Sequence, residues 1–249
     1  MSPVATSTAT RTLNFSSSHV LAMSARDPHE LRIDERTIVV NVGTQPIFVD
    51  GSPTAVIRPL SSTILDGATI TGGDLVVLLM VREERNIGTL ITDPGWPVYE
   101  SLLAQELGTE VAQAAAFPPR TPLFRSPQDT LGDVTFDPGV LLGQPEMSSG
   151  PQPFTVKVNL WFAPADTDCA IHNQHDFIEV HTQVHGTGRM QKFRGPSQDT
   201  LYQDIRMSPG YTTDQPFCQV TSEGDFSYPW HQYRSDTDCI WLAVEYHRH

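Results

Sequence analysis

The feature that most limits how this chain can fold is a rhythm of short β-prone runs broken by tight-turn chemistry. From Arg36 onward come TIVVNV, PIFV, TAVIRPL and DLVVLLMVREE, separated by VDGSP, LDG and TGGD. β-Branched and aliphatic residues suit a pleated, half-buried surface, and Gly, Asp and Pro supply the backbone angles of short connections. A second set closes the chain: FTVKVNLWFA, DFIEVHTQVHG, RMQKF, LYQDIRM and DCIWLAVEYH. This spacing predicts an all-β protein of antiparallel barrels or sandwiches.

Between the two sets lies one stretch of different period. In VYESLLAQELGTEVAQAA, after Pro97, Leu103, Leu107 and Val111 share a face at a spacing of four, which predicts a helix. Residues 117–153 then carry eight prolines and are expected to form an irregular connector. Residues 1–12, rich in Ser, Thr and Ala, are expected to be a flexible tail. The expected division is therefore a tail at 1–12, a β domain at 13–96, a helix and Pro-rich connector at 97–153, and a second β domain at 154–249.

Charge excludes several partners. Sixteen Lys and Arg against 29 Asp and Glu leave a formal charge of −13, which repels phosphate backbones and anionic lipid. No nucleic acid and no membrane partner is expected. The longest aliphatic run, LVVLLMV, is too short to span a bilayer, and the N-terminus lacks the apolar core of a signal peptide. Cys169, Cys218 and Cys239 cannot all pair and form no C-x-x-C motif, so a reduced, cytoplasmic setting is expected. GTGRMQ has Gln191 where a dinucleotide loop needs its third glycine, and there is neither a G-x-S-x-G elbow nor a P-loop.

The stretch HNQHDFIEVHTQVHG, residues 172–186, holds four of the nine histidines. In a strand, alternate side chains share a face, so Glu179, His181, Gln183 and His185 fall on one side and Ile178, Val180, Thr182 and Val184 on the other. A polar row of His, Glu and Gln, rather than Lys, Ser and Thr, points to an internal polar site. A straight strand would put the Cα atoms of His175 and Glu179 ~13 Å apart at ~3.3 Å per residue. Either these two share no ion, or the chain bends at Asp176-Phe177-Ile178.

That bend is one the cupin superfamily uses, and these residues resemble its first motif. His175, Glu179 and Gly186 match its second histidine, its glutamate and its closing glycine. Asn173 stands in place of the first histidine, with His172 one residue earlier, and Thr167 replaces the leading glycine. Of the second motif, Gly210 and Pro216 match, whereas Cys218 and Thr221 replace its glycine and histidine. YPWHQYRSDTDCIWLAVEYH resembles the last histidine-bearing strand pair of a cupin barrel, making His231 the substitute.

The resemblance implies two cupin-type double-stranded β-helix barrels, with the metal site in the second because no histidine occurs between residues 30 and 171. It implies a divalent metal held by His172, His175, Glu179 and His231, with Fe(II) expected first and Mn, Ni or Zn as alternatives. His181 and Gln183 would serve as partners of the ligands or donors to substrate. Arg189, if aimed into the barrel, would anchor a substrate carboxylate; a surface arginine that balances the acidic chain is the alternative. The expected function is a non-haem Fe(II) oxygenase acting on a small, carboxylated metabolite. A redox-neutral lyase or isomerase and a non-catalytic metabolite-binding cupin are the alternatives, and a homodimer is implied by the same resemblance.

Overall fold

A computed structural model describes residues 8–102, 121–213 and 218–249. The first half contains β1 (Thr10–Thr12), β2 (Val20–Arg26), β3 (Leu31–Ile33), β4 (Thr37–Asn41) and β5 (Ile47–Val49). It continues with β6 (Ala55–Ile57), β7 (Ser61–Leu65), β8 (Ala68–Gly72) and β9 (Leu75–Val81). The second half contains β10 (Phe124–Arg125), β11 (Asp129–Phe136), β12 (Gln152–Ala163), β13 (Thr167–Asp168), β14 (Ile178–His185) and β15 (Gly188–Phe193). After these come β16 (Leu201–Met207), β17 (Gln219–Val220), β18 (Phe226–Ser227), β19 (Trp230–Ser235) and β20 (Cys239–Arg248).

The first half forms two sheets in the orders β1-β2-β9-β4-β7 and β3-β8-β5-β6. The second forms β10-β12-β20-β14, with β11 also on β12, and β13-β19-β15-β16. Residues 210–213 extend β14: Gln183 N–H donates to the Tyr211 carbonyl (2.9 Å) and Thr213 N–H to that of His181 (3.0 Å). With this segment included, β12, β20, β14 and 210–213 stand where β2, β9, β4 and β7 stand, and β13, β19, β15 and β16 match β3, β8, β5 and β6. Two facing four-stranded sheets in this order make a jelly roll, the double-stranded β-helix, and the chain repeats it.

The run LVVLLMV is apolar throughout because both faces of β9 are covered. Val76 and Leu78 point into the first jelly roll with Ile47 and Ile70. Val77 and Leu79 point out, toward Val158 and Leu160 of β12 and Leu242 and Val244 of β20. The two halves thus pack broad sheet to broad sheet, and the Tyr246 hydroxyl donates to the Val42 carbonyl across the junction (2.9 Å). Since the even-numbered residues of β20 face the first half, Trp241, Ala243 and Glu245 face the interior of the second.

Three sequence expectations change. Thr10–Thr12, expected in the tail, is a strand on β2, and Arg11 is paired with Asp129 at 3.0 Å. The connector expected to be irregular contains β10 and the eight-residue β11, which share the outer edge of β12. Its prolines flank β11 at Pro127 and Pro138, so the buried positions Asp129, Leu131, Val134 and Phe136 survive as a strand pattern. A bulge at Thr130/Gly132 breaks its alternation, and Gly132 adopts φ 97°, with Arg26 so close that a Cβ there would clash. Residues 99–102 are helical, whereas most of the expected helix, with Leu103, Leu107 and Val111, lies outside the described residues, as do residues 1–7 and Pro216. No described helix is long and apolar enough to cross a membrane.

Candidate metal centre

Pairing between distant segments gathers the histidines. His172 and His231 form an isolated antiparallel bridge, each N–H donating to the other's carbonyl (2.9 and 2.8 Å). That arrangement sets both rings on one face, with centroids 4.5 Å apart. His175 arrives from the same loop because the chain does bend at Asp176 and Phe177 before β14 begins at Ile178. Tyr228 clasps the bend: its hydroxyl donates to the Phe177 carbonyl (2.6 Å) and accepts from the Glu179 N–H (2.9 Å). Gly186, at φ 73°, then turns β14 into β15 where a Cβ would overlap the Asp238 carbonyl oxygen.

The three Nε2 atoms converge. His172 and His175 are 3.0 Å apart at Nε2, and His175 and His231 are 3.3 Å apart. The Nδ1 atoms of His172 and His231 lie 3.1 and 2.9 Å from the carbonyl oxygens of Ala170 and Pro229. A carbonyl only accepts, so both Nδ1 atoms carry the proton and both Nε2 atoms face His175 as acceptors. Bonds of about 2.0–2.1 Å to a shared cation place adjacent donors roughly 3.0–3.4 Å apart, which matches the two spacings about His175. The residues therefore fit a metal ion.

The electrostatics agree with this. Burial pushes His172 down to about 4 and His231 to about 3, and burial also lowers His175 against the pull of Glu179. Imidazoles held neutral are ready to ligate. Burial opposes ionisation of Glu179, yet His181 above all, with His175 and His231, holds its carboxyl below the usual range. Glu179 sits directly across from Glu245 on β20, and both are buried. Two carboxylates placed opposite each other repel, another feature that a cation offsets.

Glu179 stands at the rim of the histidine cluster rather than inside it. One oxygen lies 3.9 Å from His175 Nε2, while the other pairs with His181 Nε2 at 3.0 Å. His172, His175 and His231 form the tight group, whose ligand atoms all lie within 4.8 Å of one another. Asn173, at the motif position, is not among the residues that line the adjoining cavity.

Other candidates are placed elsewhere. Arg189 does not enter the barrel: it alternates with the fully buried Met190 and is spent on Asp236 (2.7 Å) and Asp204 (2.9 Å) at the outer face. The anchoring role expected of it has no geometric basis. Gln183 accepts from the Tyr233 hydroxyl (2.6 Å) and donates to the His185 carbonyl (2.7 Å), so it braces the strand end rather than the cavity wall. His181 does line the cavity.

That cavity, about 380 Å3, opens from the histidine cluster toward Tyr99, Leu123, Trp161 and Trp241. Among its lining are charged or titratable groups that sequence reasoning missed, Arg125, Glu245 and His247. Arg125 lay in the presumed connector, and the alternation of β20, with Glu245 and His247 in phase with Trp241, was the signal available for the other two. Glu245 accepts from Gln128 (2.9 Å) and lies 2.8 Å from His247 Nε2, and the His247 ring lies against Phe177 with centroids 4.6 Å apart.

No family model and no curated protein matches the chain. Solved structures similar to it include cupins. An RmlC-like cupin protein from Desulfovibrio desulfuricans is 18% identical over 36% of this chain and 71% of its own, with a TM-score of 0.27. Bacillus subtilis oxalate decarboxylase, a protein with Mn(II) centres, is 10% identical over 94% and 70%, with a TM-score of 0.29. The 11S globulin of Wrightia tinctoria is 10% identical over 92% and 75%, with a TM-score of 0.31. At this distance they assign neither ligand nor activity, and the cupin-type strand order is a property of the sheets themselves.

Proposed function

We propose that the protein is a metal-dependent enzyme in which His172, His175 and His231, with Glu179 beside them, hold one divalent ion at the end of a cavity sized for a small organic molecule. The observation that carries this reading is the convergence of three imidazole Nε2 atoms, with His175 3.0 and 3.3 Å from His172 and His231 and the Nδ1 atoms of those two turned to backbone carbonyls. Fe(II) is the first choice of metal: in such a set of nitrogen and oxygen donors it supplies oxidation chemistry with O2. The protein's own groups then have distinct tasks. His172 and His231 are fixed in orientation by the Ala170 and Pro229 carbonyls. His181 orients the Glu179 carboxylate and presents its ring to the cavity.

A redox-neutral lyase or isomerase is the second reading, favoured by the Glu245–His247 pair, which offers an acid–base couple on the cavity wall without calling on the ligands. Metal analysis of protein purified without a histidine tag, followed by O2 uptake with a panel of small organic substrates, tests both. Stoichiometric iron and substrate-dependent O2 consumption are expected. Full occupancy by Zn or Mn with turnover that consumes no O2 selects the second reading, and protein that retains no divalent ion overturns the proposal.

A further inference from the structure

One carboxylate of the cavity wall is only half engaged. Glu245 is buried, lines the cavity, and holds its Oε2 between two neighbours, Gln128 Nε2 at 2.9 Å and His247 Nε2 at 2.8 Å. Its Oε1 has no hydrogen-bond or ion-pair partner among the described residues. Lys157 stands opposite Glu245 in the β12–β20 ladder, yet no ion pair joins the two. Arg125, which also lines the cavity, is engaged at the Trp161 ring, 5.9 Å from its guanidinium carbon. A buried anion with an incomplete set of hydrogen bonds is costly, and a donor that arrives with a ligand removes that cost.

A second acceptor lies beside the first. Asn159 is opposite Ala243, which makes it the diagonal neighbour of Glu245 on the inner face, roughly 7–8 Å away and within reach of one bound group. It is fully buried, and neither atom of its amide has a hydrogen-bond partner among the described residues. Trp161 on β12 and Trp241 on β20, in phase with it, line the cavity, as do Gln128 and Glu245. The amide therefore sits in the middle of that wall.

Acceptors that await donors select a ligand with N–H groups, and the carboxylate selects one with positive charge. A protonated amine supplies both, meeting Glu245 Oε1 and Asn159 Oδ1 with separate N–H bonds. The Trp161 ring, stacked on Trp241 at an interplanar angle of 9°, offers flat apolar surface to the rest of the molecule. The formal charge of −13 favours the approach of a cation. We infer that the cavity, about 380 Å3, binds a small organic primary ammonium, with its nitrogen on Glu245 and Asn159 and its apolar part along Trp161. None of these contacts involves the histidine cluster.

Calorimetric titration near neutral pH with three probes tests the assignment: benzylammonium, the neutral benzyl alcohol, and benzyltrimethylammonium, which keeps the charge and lacks N–H donors. Each is run on protein as purified and after chelation, for wild type, Glu245→Gln and Asn159→Ala. Benzylammonium should bind wild type at least about tenfold more tightly than either other probe in both metal states. Glu245→Gln should bring benzylammonium close to the level of benzyl alcohol, and Asn159→Ala should weaken it by roughly two- to tenfold. An undiminished preference in either folded variant overturns the inference. So does wild type that fails to bind benzylammonium, or that binds it no better than benzyl alcohol or benzyltrimethylammonium, which decides the matter even where no variant folds. Protein that holds no divalent ion yet prefers benzylammonium would remove the metal reading and leave this one standing; stoichiometric metal without the preference would remove this one alone.

Discussion

The two jelly rolls share one strand order and fill it in opposite ways. Inside the first, Val39 stands opposite Leu78 on neighbouring strands, in one aliphatic core with Ile47, Ile57 and Ile70. At the equivalent strands of the second, His181 stands opposite Ala243 and Glu179 opposite Glu245. Each fully buried aliphatic side chain is worth about 1.5–3 kcal/mol, and the second half forgoes much of that to keep a polar interior. What it lacks inside it recovers outside, where Val158, Leu160, Leu242 and Val244 pack on the first half. The first jelly roll is thus the platform and the second the site.

Removing a ligand separates the halves most sharply. His231→Ala and His172→Ala should each cost more in divalent-metal affinity than the ~10–100-fold typical of an outer partner, read by metal content after dialysis against a weak chelator. Retention of full metal by both would break the assignment of chemistry to the second half. Leu78→Ala should do the reverse, costing about 2–5 kcal/mol in urea unfolding while leaving metal per folded molecule unchanged. A metal loss in that variant would show that the platform and the site are not separable.

Acid should also tell the halves apart. His172 and His231 titrate near 4 and 3 in the folded protein, below the ordinary imidazole value near 6.5. Between about pH 6.5 and 4 the unfolded chain therefore binds more protons than the native one, so stability is complete above the upper limit and falls as pH drops through the window. For metal-stripped protein the loss should be on the order of a few kcal/mol, seen as a falling urea midpoint. His231→Gln should flatten that limb, and an unaltered slope would place the buried charge cost elsewhere.

The sequence carried the strand rhythm, the inward polar row of β14 and the need for a bend, because each is encoded within one segment. What it lacked came from pairings between segments. Nothing local says that His172 bridges His231, fifty-nine residues away, or that Arg189 meets two aspartates while Arg125 turns inward. Proline counting concealed β11, whose prolines sit at its ends. His247, two residues from the end of the sequence, is half-buried because β20 runs on to Arg248 and carries it along the cavity wall.

The Tyr228 hydroxyl clasps the bend at Asp176 and Phe177, which gives a subtler test of how the second half holds its candidate site. Tyr228→Phe removes no ring packing but leaves the Glu179 N–H and the Phe177 carbonyl without their shared partner, a cost of about 1–3 kcal/mol. Metal affinity should fall about tenfold, since His175 and Glu179 share a centre only while the bend holds. Unchanged affinity would mean the loop is fixed by its other contacts.

The smallest effect should come from making the second interior resemble the first. Asn159 lies on the inner face of β12 opposite Ala243, is fully buried, and has an amide with no hydrogen-bond partner among the described residues. A buried amide without a partner costs roughly 1–3 kcal/mol, so Asn159→Leu should raise stability by about 1 kcal/mol once strain from the larger side chain is taken off, or about 2–4 °C in Tm. The same substitution inside an aliphatic core would be unremarkable; here its sign is diagnostic. A fall in Tm would mean that the amide is satisfied in solution by an ordered water, which would make Asn159 part of the polar lining that distinguishes the second jelly roll from the first.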